Sequence, residues 1–303
     1  MIAAKRTLSW QRPYTAIEDV RLKDVAAAES LKRTIANEVL GSKPGARPVR
    51  LMLCGLPGNG KTMLARAIAN ELGAAMFVFT PAEVTVRMHN RPEYLRDLFE
   101  AARCYENAVI LMEDADQSLG SPKCRALLRE LQRQLRIPAE PECRIVFITT
   151  TSKPWKMPAD LLRLTGRRIF MPMPGAKLRK AILTQSLSEL THPSAAILTA
   201  AAWMTKGFTC SETAQIAPAA AREAIHRAVS NNRLNENITT RDILKAIREI
   251  HPRTSKQSTR QMNRFARRRQ VKGSQGNQSP ERGIHGGGAP WQVWTESTTA
   301  PAA

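Results

Sequence analysis

The chain of 303 residues lacks any apolar run that approaches the length of about 18 residues needed to span a bilayer. Its start, Met1–Trp10, also lacks the apolar core of a secretory signal, although Lys5, Arg6 and Arg12 precede any acidic residue. We therefore expect residues 1–20 to be a leader on a soluble, cytoplasmic protein. The basic start leaves a nuclear or mitochondrial location open.

Cysteine is scarce, and its spacing does not match the common paired motifs. The five cysteines form no C-x-x-C pair and fall mostly within runs that have the pattern of strands or helices: Cys54, Cys104, Cys124, Cys143 and Cys210. This distribution predicts reduced core thiols in a reducing compartment and does not indicate metal ligands.

Acidic residues are few, with 26 Asp and Glu against 46 Lys and Arg, so the net charge is +20. Part of the excess is local, because residues 256–272 include several basic side chains and no acidic one. This charge favours an acidic partner such as nucleic acid, an acidic protein segment or a membrane surface, and a solvated basic helix is the alternative. Against nucleic acid, no recognisable binding module or aromatic stacking platform accompanies the charge.

What the sequence does contain is a complete phosphate-binding loop, Gly55–Thr62, of the form G-x-x-x-x-G-K-[ST]. The glycines of such a loop let backbone N–H groups close around phosphate oxygens, Lys61 reaches the β- and γ-phosphates, and the Thr62 hydroxyl coordinates Mg²⁺. An apolar run before the loop and a helical pattern after it aim a helix N-terminus at the phosphates. The residues predicted to bind the nucleotide are Gly55, Pro57, Gly58, Asn59, Gly60, Lys61, Thr62 and Met63.

Apolar, β-rich runs alternate with helical patterns over residues 21–173, which predicts an α/β domain with a parallel sheet covered on both faces. The predicted strands are Val49–Cys54, Met76–Thr80, Ala108–Met112, Arg144–Thr149 and Arg168–Met171. The predicted helices are Met63–Leu72, Glu93–Glu106, Lys123–Arg136 and Pro158–Leu164. This order of elements is that of a nucleotide-binding domain.

The pattern changes to helices alone over residues 174–255, which are predicted to form a smaller all-helical lid. Its predicted helices are Lys177–Leu190, Pro193–Lys206, Glu212–Val229 and Thr240–Ile250. Residues 256–303 are predicted to be a basic helix and, from Gly273 onward, a disordered tail rich in Gly, Ser, Gln and Pro. Trp291 and Trp294 are unexpected in such a tail.

Further motifs follow the loop in a fixed order. The acidic pair Glu113-Asp114 ends the third strand, Asp116 follows it, Pro154-Trp155 come after the fourth strand, and Arg167–Pro174 lead into the lid. Together with the loop, this order resembles the AAA+ ATPases, most closely the clade of katanin, spastin, fidgetin and the endosomal-sorting disassembly ATPases. The resemblance covers residues 17–269.

The resemblance implies an ATPase that uses ATP and Mg²⁺ and assembles as a homo-oligomeric ring, usually a hexamer, or as a hetero-ring with paralogues. In such rings one subunit binds the phosphates, its neighbour supplies arginines, and hydrolysis drives pore loops that pull on a protein. By this resemblance Thr62 and Glu113 are the metal-side residues. The catalytic residues it implies are Asp114, Glu113, Ser152 and Arg163.

The chain departs from the family at several of these positions. The family's Asp-Glu order is here Glu113-Asp114. The exchange makes the metal-side side chain one methylene longer and the water-polarising side chain one methylene shorter. A displacement of about 1 Å can lower the rate of an enzyme around a hundredfold. Ser152 replaces an Asn that orients the attacking water. The clade's consecutive arginines are reduced to Arg163. We therefore expect ATP binding to survive better than hydrolysis.

Two segments beyond the catalytic centre also differ from the family. The clade's aromatic–aliphatic–Gly pore triplet aligns with Arg87-Met-His89, which together with Arg91 predicts a basic pore lining suited to acidic segments, and an exposed loop is the alternative. In the lid, Cys210 replaces a glycine of the turn beside the nucleotide. A positive φ at Cys210 would strain that turn.

These features allow three functions. The favoured one is an ATPase that hydrolyses ATP at subunit interfaces to remodel or disassemble a protein partner. The second is a degenerate member that binds ATP structurally without efficient hydrolysis, which the altered positions favour. The third, motivated by the net charge, is a nucleic-acid-associated AAA+ protein.

Overall fold

The computed structural model describes residues 20–22, 25, 32–33, 35–90, 93–117, 124–188, 190–231, 237–273 and 293–294. Its strands are β1 (Val49–Gly55), β2 (Ala75–Phe79), β3 (Asn107–Met112), β4 (Arg144–Thr151), β5 (Arg167–Met171) and β6 (Val293–Trp294). They form one sheet in the order β2-β3-β4-β1-β5-β6, and β1 to β5 pair in parallel. The predicted parallel α/β sheet is confirmed.

In the described part of this domain the α-helices are α1 (Lys61–Glu71), α2 (Pro81–Asn90), α3 (Tyr94–Arg103), α4 (Cys124–Gln134) and α5 (Ala159–Leu164), with a short π-helix at Ala36–Leu40 and a 3-10 turn at Pro154–Lys156. The strands read as continuous apolar runs because helices cover both faces of the sheet. Met52 packs in one buried cluster with Phe99 of α3, whereas its neighbour Leu51 packs in another with Leu64 and Ile68 of α1. This two-sided burial leaves the carboxyl ends of the strands as the open edge where a site can form.

The lid contains α6 (Ala176–Ser188), α7 (Ala195–Met204), α8 (Cys210–Ala214), α9 (Ile216–Ser230) and α10 (Thr240–Glu249) around its own apolar cluster. The single helix predicted over Glu212–Val229 is wrong, because α8 and α9 are separate helices. Arg179 anchors the lid from within: it is buried, and it donates hydrogen bonds to the carbonyl oxygens of Pro174 and Ala202. No helix in the described ranges is long and apolar enough to cross a membrane.

The C-terminal part returns to the large domain. The predicted basic helix is α11 (Lys256–Gly273), whose Met262 and Ala266 pack into the same cluster as Phe99. Beyond it, β6 pairs antiparallel with β5, with Trp294 opposite Arg168. The disorder predicted for the tail is therefore wrong for Val293–Trp294, because a free sheet edge offers backbone partners that composition alone does not reveal. Trp291 lies outside the described residues.

Candidate nucleotide-binding site

A cavity of about 810 Å³ lies between the loop after β1, the carboxyl ends of β3 and β4, and the lid. Its lining includes all of the residues predicted to bind the nucleotide except Gly55. The predicted catalytic residues Glu113, Asp114 and Ser152 line the same cavity, and Arg163 does not. The structure thus brings together residues from the carboxyl ends of β3 and β4 and from the loop after β1.

The phosphate-binding loop adopts the backbone that its glycines predict. Gly58 and Gly60 have φ values of 78° and 82°, a left-handed conformation that side-chain-bearing residues rarely adopt. A Cβ atom at Gly58 would also lie 2.9 Å from Thr209 Oγ1 of the lid. The lid makes direct contact at this point, since Ser211 N donates a 2.8 Å hydrogen bond to Gly58 O. A change at Gly58 would therefore disturb both the loop and its contact with the lid.

Lys61 is the cation of the cavity and is only 8% exposed. Its Nζ donates hydrogen bonds to Gly55 O (2.9 Å), Leu56 O (3.0 Å) and Ser152 Oγ (3.1 Å). Burial lowers the pKa of Lys61, while the negative charges of nearby acidic groups, of which Asp114 is the largest contributor, act in the opposite direction. An amine held in this way lies where phosphate oxygens can replace its carbonyl partners.

Thr62 and Glu113, the residues that the resemblance implies for the metal side, lie next to each other in the cavity. The Thr62 hydroxyl donates a 2.7 Å hydrogen bond to Glu113 Oε1. Within the described ranges, no group of three or more His, Cys, Asp or Glu side chains could hold a metal ion unaided. Two adjacent oxygen donors fit Mg²⁺ well, because that ion takes few protein ligands and completes its shell with water and substrate phosphates.

Asp114 occupies an unusual backbone position. Its φ is +48°, and it is the one non-glycine residue with a positive φ in the part of the chain that the structure describes. Aspartate is among the few residues that tolerate this left-handed conformation. Asp114 N donates to Thr150 Oγ1 at 3.3 Å, and its Oδ2 accepts from Gln117 Nε2 at 3.1 Å. Sequence reasoning did not identify Gln117 or the left-handed backbone.

Asp116 holds the end of β4 in place. Its Oδ1 accepts hydrogen bonds from Thr151 Oγ1 (2.7 Å) and Ser152 N (3.0 Å). This carboxylate therefore fixes the strand end from which the Ser152 hydroxyl reaches Lys61. Ser152, which the resemblance implies for orienting water, thus lies in the cavity, and its hydroxyl contacts Lys61.

Arg163 stands apart from the cavity, on α5, with a side chain that is 79% exposed. Its Nη1 lies 3.5 Å from Asp160 Oδ1, and Asp160 is similarly exposed. An ion pair this exposed contributes little to the stability of the fold. The flanking Leu162 and Leu164 are partly buried and pack against the core. Arg163 therefore points to solvent while its neighbours anchor the helix.

The triplet aligned with the pore loop, Arg87-Met-His89, does not lie in an exposed loop. It forms the last turn of α2, where Arg87 Nη2 is 2.8 Å from Glu83 Oε1 and the guanidinium lies 5.3 Å from the centre of the Tyr94 ring. Met88 packs against the core, His89 is exposed, and Arg91 lies outside the described residues. The exposed-loop alternative is therefore wrong.

Cys210 is not strained. It is the first residue of α8, and the preceding Thr209 caps that helix through a capping box with Glu212. In the described ranges the positive φ values belong to glycines and Asp114, so the strain considered for Cys210 does not arise. Burial raises the pKa of the Cys210 thiol to about 11. It is a protonated side chain in the cavity wall at neutral pH.

The cavity lining also includes apolar side chains beyond the phosphate-binding loop. Val25 and Ile182 line it, and Gln185 and Ser186 of α6 add polar groups. The resemblance to the family is loose on the base side of the site, around residues 19–24, of which the structure describes 20–22. Aliphatic side chains with a few polar groups are a lining that suits a nucleotide base.

The comparisons with known proteins agree with this geometry. Residues 51–173 match the model of the ATPase family associated with various cellular activities (AAA). The chain is 28% identical over 273 residues to a probable spastin homolog, spas-1, of Caenorhabditis briggsae, which covers 82% of this chain and 50% of that relative. It is 31% identical over 181 residues to fidgetin of Danio rerio, covering 55% of this chain and 25% of that protein. The chain thus spans half or less of the length of these relatives.

Solved structures share the fold. The crystal structure of the FIGL-1 AAA domain in complex with ADP has a TM-score of 0.70 and 21% identity, covering 82% of this chain and 90% of that one. A structure described as the structural basis for katanin self-assembly has a TM-score of 0.66 and 22% identity, covering 82% and 91%. The fold, the motifs and the sequence relatives agree: this chain carries an AAA ATPase domain, and spastin, fidgetin and a katanin-like protein are among its homologues.

Proposed function

We propose that this chain is an ATPase that binds ATP with Mg²⁺ at subunit interfaces and uses hydrolysis to remodel a protein partner. The observation that carries the proposal is the convergence of Lys61, Thr62, Glu113 and Asp114 on one cavity at the carboxyl edge of the sheet. A loop with left-handed glycines, a buried amine and two carboxylates supplies both phosphate binding and water activation.

Each of these side chains has a separate task in the proposed reaction. Lys61 and the loop N–H groups bind the β- and γ-phosphates, and Thr62 with Glu113 holds the metal side. Bound Mg²⁺ would neutralise charge on the phosphate oxygens. Asp114 accepts a hydrogen bond from the attacking water and orients it toward the γ-phosphate. These roles require the Glu113 carboxylate to face Thr62, and Glu113 Oε1 lies 2.7 Å from Thr62 Oγ1.

Assembly is part of the proposal. Arg163 lies outside its own cavity and is exposed, which suits a group that acts on the site of a neighbouring subunit. The katanin structure named for self-assembly shares this fold. We therefore propose a homo-oligomer or a hetero-ring with related chains. The excess of basic residues favours a protein partner with acidic segments.

A second function is a degenerate AAA protein that keeps ATP as a structural ligand. The observation that favours it is the contact at 3.1 Å in which Ser152 Oγ, at the position of the family's water-orienting Asn, accepts a hydrogen bond from Lys61 Nζ. Association with nucleic acid is a weaker third proposal. It rests on the net charge and on exposed side chains such as Arg260 and Arg264 of α11.

Steady-state ATPase activity measured at several protein concentrations tests hydrolysis and assembly together. We expect turnover per chain to rise with concentration, because the site is completed by a neighbour. Asp114→Asn should keep ATP affinity and lower turnover about a hundredfold or more, since positioned proton acceptors contribute factors of about 10²–10⁴. Glu142→Gln, which changes an exposed carboxylate, is the control. Intact ATP binding without phosphate release at any concentration would instead support the structural-ligand alternative.

The order of the acidic pair has its own test, the exchange Glu113→Asp with Asp114→Glu. If the inverted order were only a handicap, the exchange would raise turnover. The structure leads us to expect a loss of roughly tenfold or more, because glutamate tolerates a φ of +48° poorly and a shorter residue 113 loses contact with Thr62. ATP affinity should change little. A higher turnover in the exchanged protein would show that the site is degenerate.

A further inference from the structure

The turn that follows β3 is closed by Gln117. Its backbone N–H donates a 2.8 Å hydrogen bond to Asp114 O, and its side-chain Nε2 donates a 3.1 Å hydrogen bond to Asp114 Oδ2. One residue therefore contacts both the backbone and the carboxylate of Asp114. Both contacts act on the residue that has the left-handed backbone.

The Asp114 carboxylate has little other support. It is exposed, it is one methylene shorter than the family's residue, and a free aspartate side chain can rotate about two bonds. The bond from Gln117 engages Oδ2, and among the described residues Oδ1 has no hydrogen-bond partner. The carboxylate thus lines the cavity with one oxygen fixed and the other available to water.

We propose that Gln117 is a positioning residue that orients the Asp114 carboxylate toward the attacking water. The inference rests on the proposed function, in which Asp114 polarises that water. The left-handed backbone and the Gln117 amide together take the place of the extra methylene that the inverted pair lacks. A residue that only stabilised the turn would affect folding, whereas a positioning residue affects turnover.

Two variants separate these roles. Gln117→Glu keeps the size of the side chain, removes the N–H donor and places a second negative charge beside Asp114. Gln117→Ala removes the contact without adding charge. Gln257 is an exposed glutamine on α11 and provides matched controls, Gln257→Glu and Gln257→Ala. Thermal unfolding of all four proteins reports on the turn itself.

We expect Gln117→Ala to lower kcat about tenfold and Gln117→Glu to lower it further, with KM for ATP and thermal stability close to those of the parent. Affinity for ADP with aluminium fluoride, a mimic of the transferring phosphoryl group, should fall in parallel, while affinity for ADP alone should not. In an Asp114→Asn background, Gln117→Ala should have no further effect on kcat, because the group it positions has been removed.

The inference is overturned if the parent hydrolyses ATP and both Gln117 variants match the Gln257 controls. It is also overturned if kcat falls only together with thermal stability, or if the losses from Asp114→Asn and Gln117→Ala multiply. A parent that binds ATP but neither hydrolyses it nor binds ADP with aluminium fluoride more tightly than ADP would overturn the proposed function, and the inference with it.

Discussion

Replacing Lys61 with alanine is expected to lower ATP affinity at least about a hundredfold. The variant removes a buried amine from the centre of the phosphate-binding loop, and hydrogen bonds to charged groups contribute about 1.5–3 kcal/mol each. Two such bonds to the β- and γ-phosphates correspond to a factor of roughly 10² or more. Few other single changes in this chain should have so large an effect on binding.

Titration with a fluorescent ATP analogue measures this loss directly. Lys156→Ala removes an exposed lysine outside the cavity and is the control for net charge. Because Lys61 also donates to Gly55 O and Leu56 O, thermal unfolding of the variant should be measured to confirm that the domain is folded. Undiminished affinity in folded Lys61→Ala protein would remove the basis for assigning this cavity to ATP.

Much of the fold could be predicted because its signals are local. The apolar runs located β1 to β5 to within about two residues, since both faces of the sheet are buried and each strand must be apolar throughout. The phosphate-binding loop was recognisable for the same reason: its glycines, Lys61 and Thr62 are adjacent in sequence. Spatial proximity there follows from the chain itself.

Two predictions, for the starts of α2 and α8, were wrong although the local sequence indicates a helix start at each. The triplet Arg87-Met-His89 was aligned with a pore loop, yet Pro81 follows Thr80, whose Oγ1 accepts a hydrogen bond from Glu83 N. A capping residue, a proline at the first helical position and a glutamate at the third are typical of a helix start, here α2. The same spacing of Thr209 and Glu212 marks the start of α8.

Other features had no local signal. The pairing of β6 with β5 joins segments more than a hundred residues apart, and nothing in the composition of the tail specifies its partner. The positive φ of Asp114 depends on how β3 ends against Thr150, and it determines where Gln117 can reach. These contacts depend on residues that are brought together only by the fold, so the sequence could not predict the conformation of the Asp114 carboxylate.

Arg163→Ala is expected to lower ATP turnover by roughly 10³-fold without lowering ATP affinity in the same chain. An arginine supplied to the transferring phosphate contributes about 10³–10⁵ in rate in related phosphate-loop enzymes. Arg163 does not line its own cavity, and its contact with Asp160 is exposed and 3.5 Å long. Breaking the Arg163–Asp160 ion pair so that Arg163 can contact the phosphate in a neighbouring subunit therefore costs little free energy. Arg136→Ala, which changes another exposed arginine, should leave turnover unchanged.

Mixing two inactive variants tests whether Arg163 acts across the interface. A Lys61→Ala protomer cannot hold ATP but still presents Arg163, and an Arg163→Ala protomer still holds ATP. Where they sit side by side, one complete site forms, so turnover should recover and be greatest near equal proportions, with mixed assembly confirmed by mass. Mixtures of Arg163→Ala with the double variant Lys61→Ala and Arg163→Ala should stay inactive, because no protomer then supplies Arg163. Given an active parent and mixed assemblies, no recovery at any ratio would mean that the protomers do not share sites. Lys61 and Arg163 would then have to act within the same chain, or Arg163 would not take part in the reaction.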